Sequence, residues 1–224
     1  HEFRTPITAI KAQIEVMLMQ ERSKDEYINT LKSIDEDIDR FMQLVSSLGE
    51  LARANANSLD NKTNKVPLIE IIAESRSELL KGKPNYRIDL QIENLPEQEH
   101  ENYVPGNAAL LKSAFKNLIE NACKFSPDQT CEVSMIFVQP YILVTITDKG
   151  IGIPESELPL IFEPFYRAND TRGIAGHGIG LSLVKKIIDL HKGEINVESV
   201  PSKGTKFIVK LPHAQSEDTS PISY

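Results

Sequence analysis

The sequence predicts an α+β protein: an N-terminal antiparallel helical hairpin followed by an α/β sandwich. Three observations predict it. Residues 1 to about 56 hold almost no glycine and repeat their apolar positions at steps of three and four. In several segments beyond about residue 66 the apolar period shortens to two. Between these regions, from Arg53 to Lys65, the pattern dissolves into Asn, Ala, Ser and Lys, as a linker or a frayed helix end does.

Within the first region Phe3, Ile7, Ile10, Ile14 and Met17 form one heptad seam. Tyr27, Leu31, Ile34, Ile38, Phe41, Val45 and Leu48 form a second. Ser23-Lys24-Asp25-Glu26 reads as a capping box that starts the second helix. Two helices leave much of each seam uncovered, so a homodimeric four-helix bundle is expected, the alternative being a hairpin packed on the rest of its own chain. Next comes a helix from Pro67 to Leu80, with Pro67 near its first turn. Strands are expected at Ile88/Leu90/Ile92, Val133/Met135/Phe137, Ile142/Val144/Ile146 and Phe207/Val209/Leu211. Helical stretches at Asn107–Phe125 and Gly178–His191 lie between them, which suggests a sheet covered on one face. The expected division is 1–56 hairpin, 57–66 linker, 67–212 sandwich and 213–224 disordered tail.

Composition narrows the function classes. The 224 residues carry a net charge of −7, without the basic footprint that general nucleic-acid binding needs. No apolar run approaches the ~18–20 residues of a membrane span, and this stretch reads as soluble. The two cysteines, Cys123 and Cys131, have no metal-ligand company and read as reduced and structural. The histidines show no zinc-like spacing.

Four constellations carry possible chemistry. His1-Glu2-Phe3-Arg4-Thr5-Pro6 places His1 and Thr5 four apart, on one stripe away from the seam, and Pro6 should bend the helix there. A nucleophilic imidazole needs one ring nitrogen free and the other oriented, and an adjacent carboxylate can orient it or take a proton. Asn117, Asn121 and Lys124 form a polar stripe on an otherwise apolar helix. Its amide oxygens suit a partly hydrated Mg²⁺ and its Lys could offset phosphate charge; a solvated helix face is the plainer reading. Asp148-Lys149-Gly150-Ile151-Gly152 follows directly on a strand, where a carboxylate can accept from an exocyclic amine or simply face solvent in a turn. Gly176-His177-Gly178-Ile179-Gly180-Leu181 leads into a helix and presents backbone N–H groups to a phosphate. It lacks the preceding strand and last glycine of a dinucleotide fingerprint, and no GxxxxGK[ST] loop occurs in the chain.

In this order the pieces resemble the sensor histidine kinases of two-component systems. His1–Pro6 looks like their H box, Asn117–Ser126 the N box, Asp148–Gly152 the G1 box, Phe162–Arg167 the F box, Gly176–Leu181 the G2 box, and Gly204-Thr205 the family's last turn. The resemblance covers about residues 1 to 212. It implies a dimerisation and phosphoacceptor hairpin joined to a Bergerat-type ATPase sandwich, using ATP and Mg²⁺. His1 would be the phosphoacceptor, Glu2 its base or orienting partner, and Thr5 a residue of phosphatase action on the partner. Asn121 would bind Mg²⁺ beside Asn117, with Lys124 near the phosphates. Asp148 would read the adenine amine, with Gly150, Gly152 and Thr205 shaping that pocket. Residues 155–176 would form a lid hinged at Gly178 and Gly180, and Phe125, Ile153, Tyr166, Arg167, His177 and Leu181 complete the implied nucleotide-contacting set. The partner would be a response regulator receiver domain, with no direct nucleic-acid contact.

His177 departs from the resemblance, standing where many relatives carry a small hydroxyl residue. The chain opens at the acceptor His, where relatives carry helix upstream. A longer parent is therefore expected, with a sensor and often an anchor in a bacterial cell membrane, this part lying in the cytoplasm. Two rival readings are a gyrase-like ATPase and a non-catalytic dimerisation module. The first lacks a phosphoacceptor hairpin and typically carries Glu where Asn117 stands; the second has no use for an intact Asn121, Asp148, Gly150 and Gly178.

Overall fold

A computed structural model describes residues 4–57, 64–94, 102–168 and 178–214. The chain divides into two compact units, His1–Arg53 and Ala54–Tyr224.

In the first unit α1 (Arg4–Leu18) runs unbroken through Pro6, and α2 follows at Lys24–Asn57. The capping box forms as the sequence predicts. Glu26 N–H donates to Ser23 Oγ at 3.2 Å, and Ser23 N–H donates back to Glu26 Oε2 at 2.9 Å. These bonds satisfy donors that a helix start leaves open, and they pull the Glu26 carboxyl below its ordinary pKa. Between the helices Gln13 Nε2 donates to Asp37 Oδ2 at 3.1 Å. None of the hairpin's described side chains is fully buried. Seam residues stay open: Ile14 is 43 % exposed, Leu31 63 % and Ile38 44 %.

The second unit holds β1 (Lys65–Pro67), α3 (Leu68–Gly82), β2 (Arg87–Glu93), β3 (Tyr103–Pro105), α4 (Ala108–Phe125), β4 (Thr130–Val138), β5 (Tyr141–Thr147), a 3₁₀ helix (Glu155–Leu160), α5 (Gly180–Leu190), β6 (Glu194–Val200) and β7 (Gly204–Pro212). The main sheet runs β2-β4-β5-β7-β6, and β1 pairs with β3 in a small antiparallel ribbon. Only the β2–β4 pair of the main sheet is parallel. Along β4 and β5 burial alternates, so Val133, Met135, Ile142, Val144 and Ile146 reach the core while their neighbours do not. Against that face lies α4, whose Leu111, Ala114, Phe115, Leu118, Ile119, Ala122 and Cys123 are buried at steps of three and one. This spacing is one wide apolar stripe on a 3.6-residue period. Asn107 caps α4, its Oδ1 accepting from Leu110 N–H at 3.1 Å.

Several expectations need correction. The helix expected from Pro67 to Leu80 runs from Leu68 to Gly82 as α3; Pro67 lies next to its first turn as its N-cap, and also ends β1, paired with Tyr103. β6 is missing from the expected strands because Ser199 interrupts its apolar alternation. The expected tail is ordered for two residues more. His213 N–H donates to Pro140 C=O at 3.1 Å, Ala214 N–H donates to Tyr103 C=O at 2.6 Å, and Ala214 is buried. The remaining tail, 215–224, lies outside the described residues. Among the described residues no helix is long and apolar enough to cross a membrane.

Candidate active site

The site forms where α4, the start of α5, and the ends of β5 and β7 meet. Asp148 follows β5 directly and is only 5 % exposed. Its Oδ1 accepts from Gly150 N–H at 2.7 Å and Thr205 N–H at 3.3 Å, while its own N–H donates to Thr205 C=O at 2.9 Å. Burial pushes the Asp148 carboxyl above its ordinary pKa, and the two N–H donors oppose that shift. Among the described residues Oδ2 has no hydrogen-bond partner, which leaves it to accept from a ligand donor.

A second clasp holds the loop after Asp148. Ser199 Oγ accepts from Ile153 N–H at 2.8 Å, donates to Gly204 C=O at 2.9 Å, and lies 2.9 Å from Thr205 Oγ1. Gly152 has φ +70° and its α-carbon faces the Val200 carbonyl so closely that no β-carbon fits. Asp148, Gly150, Gly152, Ile153 and Thr205 thus lie together. Ser199 is a member of the site that the sequence pattern does not single out. Its only signal there is a polar residue at an inward-alternating position, easily taken for a broken strand.

On α4, Asn117, Asn121 and Lys124 are all partly exposed on one stripe. Asn117 Nδ2 donates to Ser113 C=O at 2.9 Å, so the amide is oriented and Oδ1 faces away. A β-carbon on Gly180 would lie 2.8 Å from Asn117 Oδ1 and 4.0 Å from Asn121 Nδ2. Glycine at the first residue of α5 therefore lets the helix backbone meet the Asn stripe directly. Lys124 is half-buried with Nζ 5.2 Å from the Phe125 ring centroid. Burial first, then the charges of Arg167 and Lys83, lower its ammonium pKa against the opposing pull of Glu120. An ammonium that is desolvated and crowded by other cations favours an anion beside it. Gly150 packs on the Phe125 carbonyl, which ties the end of α4 to the Asp148 loop.

The segment after the 3₁₀ helix returns to the same place. Phe165 N–H donates to Gly178 C=O at 2.9 Å, and Gly178, with φ +73°, leaves no room for a β-carbon beside the Tyr166 carbonyl. Partial burial, followed by the Glu157 carboxylate, pushes the Tyr166 phenol above its ordinary pKa. Leu181 stands in the first turn of α5, half-buried. His1, Glu2 and His177 lie outside the described residues; Thr5 falls in α1, but its side chain is not among those described.

Two family profiles match the chain. Residues 1–57 match the His Kinase A (phospho-acceptor) domain, and residues 106–215 match the histidine kinase-, DNA gyrase B- and HSP90-like ATPase. The chain belongs to the sensor histidine kinases, and its second unit is their ATP-binding domain. The sensor histidine kinase CusS of Escherichia coli is 32 % identical over 215 residues, covering 95 % of this chain and 44 % of CusS. The signal transduction histidine-protein kinase/phosphatase MprB of a Mycobacterium species is 31 % identical over 224 residues, covering 95 % of this chain and 42 % of MprB. The chain thus spans less than half the length of these curated relatives. A solved mycobacterial sensor histidine kinase MprB superposes with a TM-score of 0.58 at 26 % identity, over 68 % of this chain and 99 % of that one. The Acinetobacter baumannii histidine kinase AdeS shares the fold over 96 % of this chain and 98 % of its own, with a TM-score of 0.60 at 20 % identity.

Proposed function

We propose that this chain transfers the γ-phosphoryl of ATP to His1 and then to an aspartate of a response regulator. The observation that carries this is the apposition of Gly180 to Asn117 and Asn121 on α4, whose last residue, Phe125, packs on the loop of an Asp148 carboxylate with one free oxygen. One end of that cleft accepts an amine, as on adenine; the other offers amides, half-buried Lys124 and open backbone N–H groups for phosphates. Among the described residues no group of three or more His, Cys, Asp or Glu could hold a metal. The amide oxygen of Asn121 fits Mg²⁺, which keeps several waters and is held jointly by substrate phosphates. Bound there, Mg²⁺ would neutralise phosphate charge during transfer.

In the transfer a ring nitrogen of His1 forms the N–P bond as the bond from the γ-phosphorus to the ADP oxygen breaks. Glu2 takes the ring proton or orients the ring. Lys124 and Arg167 balance charge that develops on the phosphate side. The hairpin's matching profile and its open seams support a homodimer whose bundle presents His1. The parent belongs at a bacterial cell membrane, with this part on the cytoplasmic side.

The test is to incubate the full-length protein with labelled ATP and Mg²⁺. Label should be acid-labile and alkali-stable, as phosphohistidine is, and should vanish in His1→Gln. Acid-labile label persisting in His1→Gln would assign the phosphoacceptor elsewhere.

A further inference from the structure

We propose that His191 is a positioning residue for the nucleotide site, holding the far end of α5 so that its near end keeps Gly180 on the Asn117/Asn121 stripe. The proposal rests on that cleft being the ATP site. His191 follows the last residue of α5 and is 5 % exposed. Its Nδ1 lies 2.7 Å from Ile187 C=O, which can only accept, so the proton sits on Nδ1. Nε2 then has a free lone pair, and Asn107 N–H donates to it at 3.0 Å. Asn107 is also the cap of α4. The Cδ2–Nε2 side of the imidazole lies against Gly106, where any β-carbon would strike it. One ring thus joins the C-terminal end of α5 to the first residue before α4.

The helix lengths show why this bond matters at the other end. Asn117 lies ten residues after Asn107, ~15 Å along α4, and Gly180 lies eleven residues before His191, ~17 Å along α5. The helices run antiparallel with matched spans, so the pair is pinned at two points. Between the pins α5 packs on α4 and buries Leu183, Val184, Ile187 and Ile188. Apolar burial is non-directional and tolerates small sliding, whereas the His191 bond does not. No side chain caps the start of α5, so the α4 anchor at its end sets the register.

Protonation of Nε2 would replace the accepted bond with two facing donors and release the pin. Burial keeps His191 below its ordinary pKa, in the neutral form the bond needs. Residues 106–110, facing it from α4, carry no ionisable side chain. On its own side Asp189 is paired with Lys185 at 2.8 Å and Lys192 follows it; no charged side chain is among the influences on its titration.

The experiment compares wild type, His191→Gln and His191→Leu for Mg²⁺-dependent affinity toward a fluorescent ATP analogue, from pH 5.5 to 8, at a temperature where each is folded by circular dichroism. His191→Leu should bind about tenfold more weakly, a typical coupling between distant sites. His191→Gln, which keeps an acceptor near the Nε2 position, should recover most of the loss. Wild-type affinity should fall relative to His191→Leu as pH drops below the ordinary histidine range, a difference that cancels titration of the nucleotide and of Asp148. Should the leucine variant not fold, ¹⁵N NMR titration of His191 in wild type decides. By linkage, adding nucleotide must lower its pKa further. Equal affinities in all three proteins, or a His191 titration unmoved by nucleotide that wild type binds, overturns the proposal. Failure of wild type to bind nucleotide at all would overturn it together with the ATP site.

Discussion

Asp148 shows stability and function set against each other in one side chain. Its carboxyl is buried, and its pKa is raised by that burial. An acid whose folded pKa is raised favours the folded state while protonated, so this contribution is present below the unfolded pKa and lost as pH rises through the folded value. Burial therefore works against ionising Asp148 in the folded domain. In the proposed ATP site a bound exocyclic amine would reverse that preference, because it donates best to the carboxylate. Asp148→Asn keeps an oxygen for Gly150 N–H and Thr205 N–H but turns a donor toward the ligand amine. We expect this variant to melt no lower than wild type at pH 7.5 while binding ATP at least tenfold more weakly, since hydrogen bonds to charged groups contribute about 1.5–3 kcal/mol. Thermal melts and nucleotide titrations on the same samples check this. A variant that loses stability and keeps affinity would make Asp148 a structural residue.

Elements differ in how openly the sequence declares them, and the hairpin declares itself most. Its heptads and capping box depend on neighbours within four residues, so both helices and the Ser23–Glu26 pair are legible from local pattern alone. Ile14, Leu31 and Ile38 remain open in one chain, and the proposed second copy would supply the missing apolar face. Ile38→Glu should place an unpaired charge in that seam and convert a micromolar dimer to monomer in sedimentation, while the second unit keeps its melting transition. A wild-type chain already monomeric at that concentration would leave the open seams to another partner. Elements set by distant pairing are harder to read. Three-residue β1 and β3 exist because they pair with each other, and no period shows in so short a run. β6 hides behind Ser199, whose hydroxyl serves the Asp148 loop rather than the core. The site follows the same division. Asp148 and its glycines stand out on a strand end, but the Asn117–Asn121–Lys124 stripe looks like a solvated face, and only Gly180 seated against it marks it as a site.

At the scale of the whole molecule, the proposed phosphoacceptor and the proposed nucleotide site belong to different units, so kinase and phosphatase actions would not need to share every residue. On the proposed function, transfer from ATP would need His1, Glu2 and the second unit's site together. Removal of phosphate from a response regulator would need a water aimed at the phospho-aspartate of a receiver docked against the hairpin. Thr5 follows His1 by four residues, the sequence spacing that puts two side chains on one helix stripe. Its hydroxyl can both donate to and accept from such a water. MprB, whose name records both kinase and phosphatase, is among the relatives this chain matches. Thr5→Ala should therefore retain at least half of the autophosphorylation rate and lose about 90 % of phosphatase activity, the scale expected when one group orienting a reactant is removed. The measurement supplies purified phospho-regulator with ADP and Mg²⁺ and follows its decay with wild type and Thr5→Ala. Equal acceleration by both proteins removes Thr5 from the mechanism. No acceleration by either makes this protein a kinase alone, with Thr5 a surface residue of its first helix.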